Sequence, residues 1–268
     1  MTIARRSFLG AALGAASLAQ HAWAQPGGTA YQPQVGQGGK DVVWVPTSQA
    51  LVDRMLDMAG LTPQDRLVDL GSGDGRLVIT AAKRGARARG IEYNPDMVAL
   101  SKRAAEAEGV AARATFEQAD IFASNFSEAT VVTLFLLPNL NMRLRPTLLD
   151  MPAGTRVMSN SFTMEDWEPD DSFNVVEGCS GYCNALKWVV PAKVGGSWQL
   201  GGERLVLTQA FQKLTGRLGA NSPLADARLD GANIRFTAGG RTYTGQVAGT
   251  TMRGTVDGAA WTATRVAG

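Results

Sequence analysis

The sequence predicts an α/β fold: a doubly wound, mostly parallel seven-stranded sheet followed by a small antiparallel all-β domain. Three observations predict it. Between Val42 and about Val194, short apolar runs alternate with segments of helical period, as in successive βαβ units. Within that region, Val68-Asp69-Leu70-Gly71-Ser72-Gly73-Asp74-Gly75-Arg76 joins a hydrophobic strand to a helix-forming run through a three-glycine turn. From about Gly195 the helical period disappears. Short β-prone runs are then separated by Gly219, Asp230-Gly231, Gly239-Gly240, Gly249 and Asp257-Gly258, the pattern of a small sandwich or partial barrel.

In chain order, Ala4-Arg5-Arg6-Ser7-Phe8-Leu9-Gly10 reads as a twin-arginine n-region. An apolar run over 8–19 and the small-x-small site Ala22-Trp23-Ala24 follow it. That run is shorter than the roughly 20 residues a membrane-spanning helix needs. The segment 1–24 therefore predicts export to the periplasm by the twin-arginine machinery, with an uncleaved membrane anchor as the alternative. Residues 25–40, rich in Gly, Pro and Gln, predict a flexible linker. The sheet domain is expected over 41–194 and the β-rich domain over 195–268.

Thr47 or Ser48 caps a helix whose apolar stripe is Leu51, Val52, Met55, Leu56 and Met58. Strand 66–70, helix 75–84, strand 89–93 and helix 95–108 come next. Strands 114–118 and 130–137, helix 141–151 and strand 155–162 complete the predicted order. The later β runs begin at Leu205 and end at Arg265.

Composition removes several chemistries. Loss of Arg5 and Arg6 with the leader brings the basic residues down to the number of acidic ones, so no nucleic-acid footprint is expected. His21, the one histidine, leaves with the same segment, and with it any Ser-His or Cys-His pair. Cys179 and Cys183 alone cannot build a structural zinc site, and no metal is expected. Within Cys179-Ser180-Gly181-Tyr182-Cys183, a small disulfide ring and free thiols both remain open. Glu165-Asp166-Trp167-Glu168-Pro169-Asp170-Asp171 is either a solvated loop or an attractor for a cationic group.

The glycine turn carries the site. Glycine removes the Cβ that would keep a ligand away from the backbone at a helix N-terminus. Seventeen residues after Gly75, Glu92 closes a second apolar strand, where a carboxylate can hold ribose hydroxyls. Counting from Gly71, a dinucleotide fingerprint requires glycine at the sixth position, which is Arg76 here. The spacing Asp-x-Gly-x-Gly-x-Gly over 69–75 instead resembles motif I of class I S-adenosylmethionine-dependent methyltransferases. Three further segments are similar to that family: Gly90-Ile91-Glu92-Tyr93-Asn94-Pro95, Ala119-Asp120-Ile121-Phe122 and Leu136-Leu137-Pro138-Asn139-Leu140-Asn141. The likeness runs over roughly 42–194. Pro46-Thr47, the 69–76 run and Leu-Leu-Pro-Asn also resemble a narrower group, the small protein-lysine methyltransferases related to the enzyme that modifies the c-subunit of ATP synthase. The β-rich tail and the export signal depart from that group.

The resemblance implies S-adenosyl-L-methionine as cofactor, held by Asp69, Gly71, Ser72, Gly73, Gly75, Glu92, Tyr93, Asp120 and Ile121. Asp120 would accept from the adenine amine, with Ile121 or Phe122 against the ring. Pro138 and Asn139 would orient the acceptor amine, although Asn139 also suits a helix N-cap. Asp74 and Arg76 are free to pair with each other on the surface. The implied function is methyl transfer to an unidentified acceptor, a protein lysine or a small molecule. The alternative is a non-catalytic exported protein that keeps the fold as scaffold while its β domain engages a cell-envelope partner.

Overall fold

A computed structural model describes residues 1–2 and 31–266. Nearly all of the predicted signal segment, and the linker as far as residue 30, lie outside the described residues. From Pro33 onward the chain forms one compact unit.

The first half runs α1 (Gln49–Met58), β1 (Arg66–Leu70), α2 (Arg76–Lys83), β2 (Arg87–Glu92), α3 (Pro95–Ala107), β3 (Ala114–Gln118), β4 (Val131–Leu134) and α4 (Pro138–Leu149). It ends with β5 (Arg156–Asn160), β6 (Asp171–Asn174) and β7 (Asn184–Val189). The seven strands lie in the order β3-β2-β1-β4-β5-β7-β6. The first five pair in parallel, and β7 runs antiparallel between β5 and β6. The sheet is thus mixed. The strand order reverses between β1 and β4, and the crevice beyond their carboxyl ends is where such sheets hold ligands.

Burial explains the central strands. Every residue of β4, and all but the first of β1, is buried, as expected for strands covered on both faces. One core packs Leu51, Leu56, Val78, Val98 and Phe116 on one side. The other packs Val68, Leu70, Val132, Leu144 and Trp188. The predicted stripe of α1 is fully realised, and its cap is Ser48, whose hydroxyl accepts from the Leu51 N–H.

Two predicted strands are too long. Strand 130–137 stops at Leu134, because Pro138 occupies the first turn of α4. Proline there forces Leu137 into the extended conformation of an N-cap, ψ 155°. Strand 155–162 stops at Asn160, before Ser161 at φ 61°.

The second half is β8 (Gly196–Leu200), β9 (Glu203–Ala210), β10 (Lys213–Leu218), β11 (Ser222–Pro223), β12 (Ala225–Asp230), β13 (Asn233–Ala238), β14 (Arg241–Ala248), β15 (Thr251–Val256) and β16 (Ala259–Arg265). Apart from the short β11, which sits beside β10, each strand pairs antiparallel with the next, and β16 pairs back onto β8. The expected sandwich or partial barrel is a closed barrel, which removes exposed strand edges. Trp198, Phe236, Tyr243, Met252 and Trp261 fill it, with the Phe236 and Tyr243 rings stacked 4.8 Å apart.

The acidic run of 165–171 ties the two halves together. Trp167 is fully buried, stacks on Phe211 at 5.9 Å and accepts at its carbonyl from the Trp188 indole. Glu168 pairs with Lys213 of β10, and Asp166 pairs with Arg145 of α4. Because β7 is reversed, it ends beside the start of β5, Val189 opposite Arg156. The barrel therefore departs from the end of the sheet opposite the crevice.

Candidate active site

A cavity of about 200 Å³ opens where β1, β2 and β4 end. Asp69, Gly71, Ser72, Gly73, Glu92, Tyr93, Asp120 and Ile121 all line it. Gly75, Pro138 and Asn139 do not. Gly75 is the left-handed N-cap of α2, turned toward Phe116 and Ser101. Pro138 and Asn139 form the first turn of α4, so the Pro138 carbonyl enters the helix and Asn139 faces solvent. Leu137 and Leu140 reach the cavity instead. Nor is Asn139 the helix cap.

Asp69 is buried, and in the sheet it lies level with Gly90 on β2 and Thr133 on β4. Its Oδ1 accepts from the Thr133 hydroxyl at 2.7 Å. Burial, reinforced by the nearby charges of Glu92 and Asp74, pushes its pKa up to about 7, against the Thr133 hydrogen bond. The carboxyl has no cationic partner among the described residues.

Glu92 holds the glycine loop. One oxygen accepts from the Gly73 N–H and the other from the Asn94 N–H, both at 2.9 Å. Gly71 and Ser72 both donate to the Ile91 carbonyl. Three loop N–H groups are therefore satisfied within the fold. What the absent Cβ atoms provide is room: at Gly73, φ 52°, a Cβ would lie 2.6 Å from the Trp44 indole nitrogen.

Trp44 belongs to a strap that the sequence did not reveal. Gly38 bridges Val43, and Gly36 donates to the Trp44 carbonyl. Residues 37–40, predicted as flexible linker, form one wall of the cavity. From this strap Lys40 reaches Asp120 at 2.5 Å and sits 5.0 Å above the centre of the Tyr93 ring. The hydrogen bond raises the Lys40 pKa and lowers that of Asp120. Asp120 is thus engaged at both oxygens, its second taking the Phe122 N–H, with lone pairs left to accept from a ligand. Asp74 and Arg76 do pair, at 2.6 Å, but at the cavity wall and not on the open surface, and Arg76 also donates to the Thr47 carbonyl.

Past Leu134, the far wall is apolar and aromatic, with Phe135, Leu136, Phe162 and Tyr182. Cys179 and Cys183 form a disulfide that closes the loop carrying Tyr182. Among the described residues no group of His, Cys, Asp and Glu is arranged to hold a metal.

A family model described as ANTKMT methyltransferase domain matches residues 69–171. A protein-lysine N-methyltransferase of Saccharolobus islandicus is 41% identical over 140 residues, 51% of this chain and 87% of the relative. The chain belongs to this family of S-adenosylmethionine-dependent methyltransferases. It is accordingly an enzyme, which leaves the non-catalytic reading without support. The human lysine N-methyltransferase of the ATP synthase c-subunit is 35% identical over 128 residues, and this methyltransferase spans 54% of its length. A Salinibacter ruber structure described as an RNA methyltransferase in complex with S-adenosyl-L-homocysteine is 45% identical, with a TM-score of 0.53. That similarity covers 56% of this methyltransferase and 96% of the other chain. The family match ends at residue 171, before β7 and the barrel.

Proposed function

We propose that the enzyme transfers a methyl group from S-adenosylmethionine to a lysine side-chain amine of a protein. The observation that carries this reading is the acid-lined cavity with Asp69 buried and, among the described residues, unmatched by a cation. The cofactor fits these residues. Ser72 lines the cavity, and its hydroxyl, packed beside Gly90, is buried without a hydrogen-bond partner. The cofactor's sulfonium and ammonium supply the positive charge that Asp69 lacks, and Glu92 is placed to hold ribose hydroxyls. Ile121 and Tyr93 offer apolar surface to the adenosine. The protein-lysine relative, matched over most of its length, supports an amine acceptor.

When held by Asp69, Ser72 and Glu92, the cofactor would supply a methyl group activated on a positively charged sulfur, for displacement by the amine lone pair with the S–C electron pair left on sulfur. The amine must first lose its proton. The aliphatic lining of Leu134, Leu136 and Leu140 favours the neutral form by withholding water. The fold otherwise supplies position and a dry site.

The test incubates the full chain and labelled S-adenosylmethionine with separate protein and RNA fractions from cells. Label is expected in protein, mapped by mass spectrometry to lysine. Label confined to RNA overturns the lysine reading.

Asp69 gives this reading a pH signature. A carboxyl with a pKa near 7 is largely protonated at pH 6 and largely ionised at pH 8, and only the ionised form attracts the cationic cofactor. Affinity is expected to rise roughly tenfold across that interval, and Asp69→Asn is expected to flatten the rise in calorimetric titrations. Stability of the ligand-free protein runs the other way. The folded pKa lies above the unfolded one, so Asp69 costs nothing below about 3.8; stability falls as pH rises from there to about 7 and is level above it.

We also infer export to the periplasm, from the twin-arginine segment. The Cys179–Cys183 disulfide supports it, because disulfides persist in oxidising compartments. N-terminal sequencing of protein from the periplasmic fraction is expected to begin at Gln25. Intact Met1 in the cytoplasmic fraction alone refutes it.

A further inference from the structure

Three aromatic rings meet at the apolar end of the cavity although they come from distant parts of the chain. Phe135 follows β4, Phe162 follows β5, and Tyr182 lies in the disulfide loop between β6 and β7. Their centroids are 5.9, 5.3 and 5.7 Å apart, and all three residues line the cavity. A cation resting on this triangle lies within roughly 6 Å of all three ring centroids, the range of cation–π attraction.

The surrounding backbone is committed to this arrangement. Tyr182 has φ 55° and Ser161, just before Phe162, has φ 61°, a region that non-glycine residues seldom occupy. Such conformations persist only where the surroundings over-determine them. Phe162 is further held at its carbonyl, which accepts from the Ser159 hydroxyl and the Asn141 amide. Tyr182 is half exposed at 51%, unusual for a ring with two aromatic neighbours.

Three other rings of the first half already carry a cation of the protein. Lys40 covers Tyr93, Arg54 covers Phe173 and Arg143 covers Phe122. Among the described residues no cation lies over Phe135, Phe162 or Tyr182, which pack against one another at the cavity.

We propose that Phe135, Phe162 and Tyr182 form the acceptor subsite, a three-ring seat for a lysine ammonium in its unmethylated and methylated states, with Tyr182 positioned by the Cys179–Cys183 bridge. The inference rests on the amine-acceptor reading above. A seat of this kind keeps its hold as methyl groups are added, because a methylated ammonium is a softer cation that sheds water more readily. Successive transfers to one nitrogen then need no change of partner.

The experiment compares two peptides titrated into the full chain loaded with S-adenosyl-L-homocysteine. One carries a single trimethyl-lysine; the other carries its neutral isostere, with carbon in place of the charged nitrogen. The cationic peptide is expected to bind about tenfold more tightly. Tyr182→Ala and Phe162→Ala are expected to abolish that preference and Tyr182→Phe to retain it, with affinity for S-adenosyl-L-homocysteine unchanged in all three. Equal affinity for the two peptides, no binding of either, or a preference that survives Tyr182→Ala overturns the seat. A preference unchanged in the Cys179→Ser, Cys183→Ser double variant overturns the role given to the bridge. Lysine labelling in the protein fraction is scored separately, so failure of the lysine reading is distinguishable from failure of the seat.

Discussion

Glu92→Ala is expected to lower affinity for S-adenosylmethionine by about a hundredfold or more. Two losses combine. The carboxylate that would take the ribose hydroxyls disappears, and charged hydrogen bonds are worth roughly 1.5–3 kcal/mol each. The Gly73 and Asn94 N–H groups also lose their acceptor, so the glycine loop is no longer held against β2. An unsatisfied, part-buried donor costs about 1–3 kcal/mol, and 1.4 kcal/mol is about a factor of ten in affinity. Glu92→Gln keeps one acceptor oxygen and is expected to fall between. Calorimetric titration measures this, with circular dichroism to establish that the variants are folded. Wild-type affinity in a folded Glu92→Ala protein would remove Glu92 from the cofactor site.

Gly75→Ala is expected to destabilise the protein by about 2–5 kcal/mol, the sum of a left-handed backbone penalty of about 1–2 kcal/mol and overpacking of about 1–3 kcal/mol. At φ 79° a Cβ would lie 2.8 Å from two atoms of the Phe116 ring and from Ser101 Cβ. Both neighbours are buried, Phe116 on β3 and Ser101 on α3, so neither can move aside without disturbing a packed layer. Gly109 provides the control. It has φ 67° and nothing within 4 Å of its would-be Cβ, so Gly109→Ala should show the backbone penalty alone, about 1–2 kcal/mol. Urea midpoints of the two variants test the comparison. Equal midpoints would mean that contact with Phe116 is immaterial.

What could be read from sequence was what is local. The run 69–76 carries its strand, turn and helix in consecutive residues, and the stripe from Leu51 to Met58 carries its own period. Glu92 is legible because it ends the next strand. Lys40, Trp44 and Tyr182 are different. Each reaches the cavity from a segment with no periodic pattern, and only the folded chain sets Lys40 beside Asp120, 80 positions away. Trp44, within the apolar run Val42 to Val45 that follows the polar lead, is the available hint. The misplacement of Pro138 and Asn139 has a local cause: apolar Phe135 to Leu137 extended the apparent strand and hid the helix start that proline marks. In the second half each strand was visible from its turns, but the pairing of Ala263 with Leu200 that closes the ring leaves no mark on either segment.

That closure makes the last strand indispensable in a way that its modest size conceals. The seam between β16 and β8 is the one junction of the ring whose two sides are not neighbours in sequence, so it has the largest loop-closure entropy to overcome and shares its register with no turn. Loss of β16 would not shorten the barrel by an eighth; it would turn β15 and β8 together into open edges, each offering unpaired N–H and C=O groups to another chain. β16 thus acts as a seal against self-association.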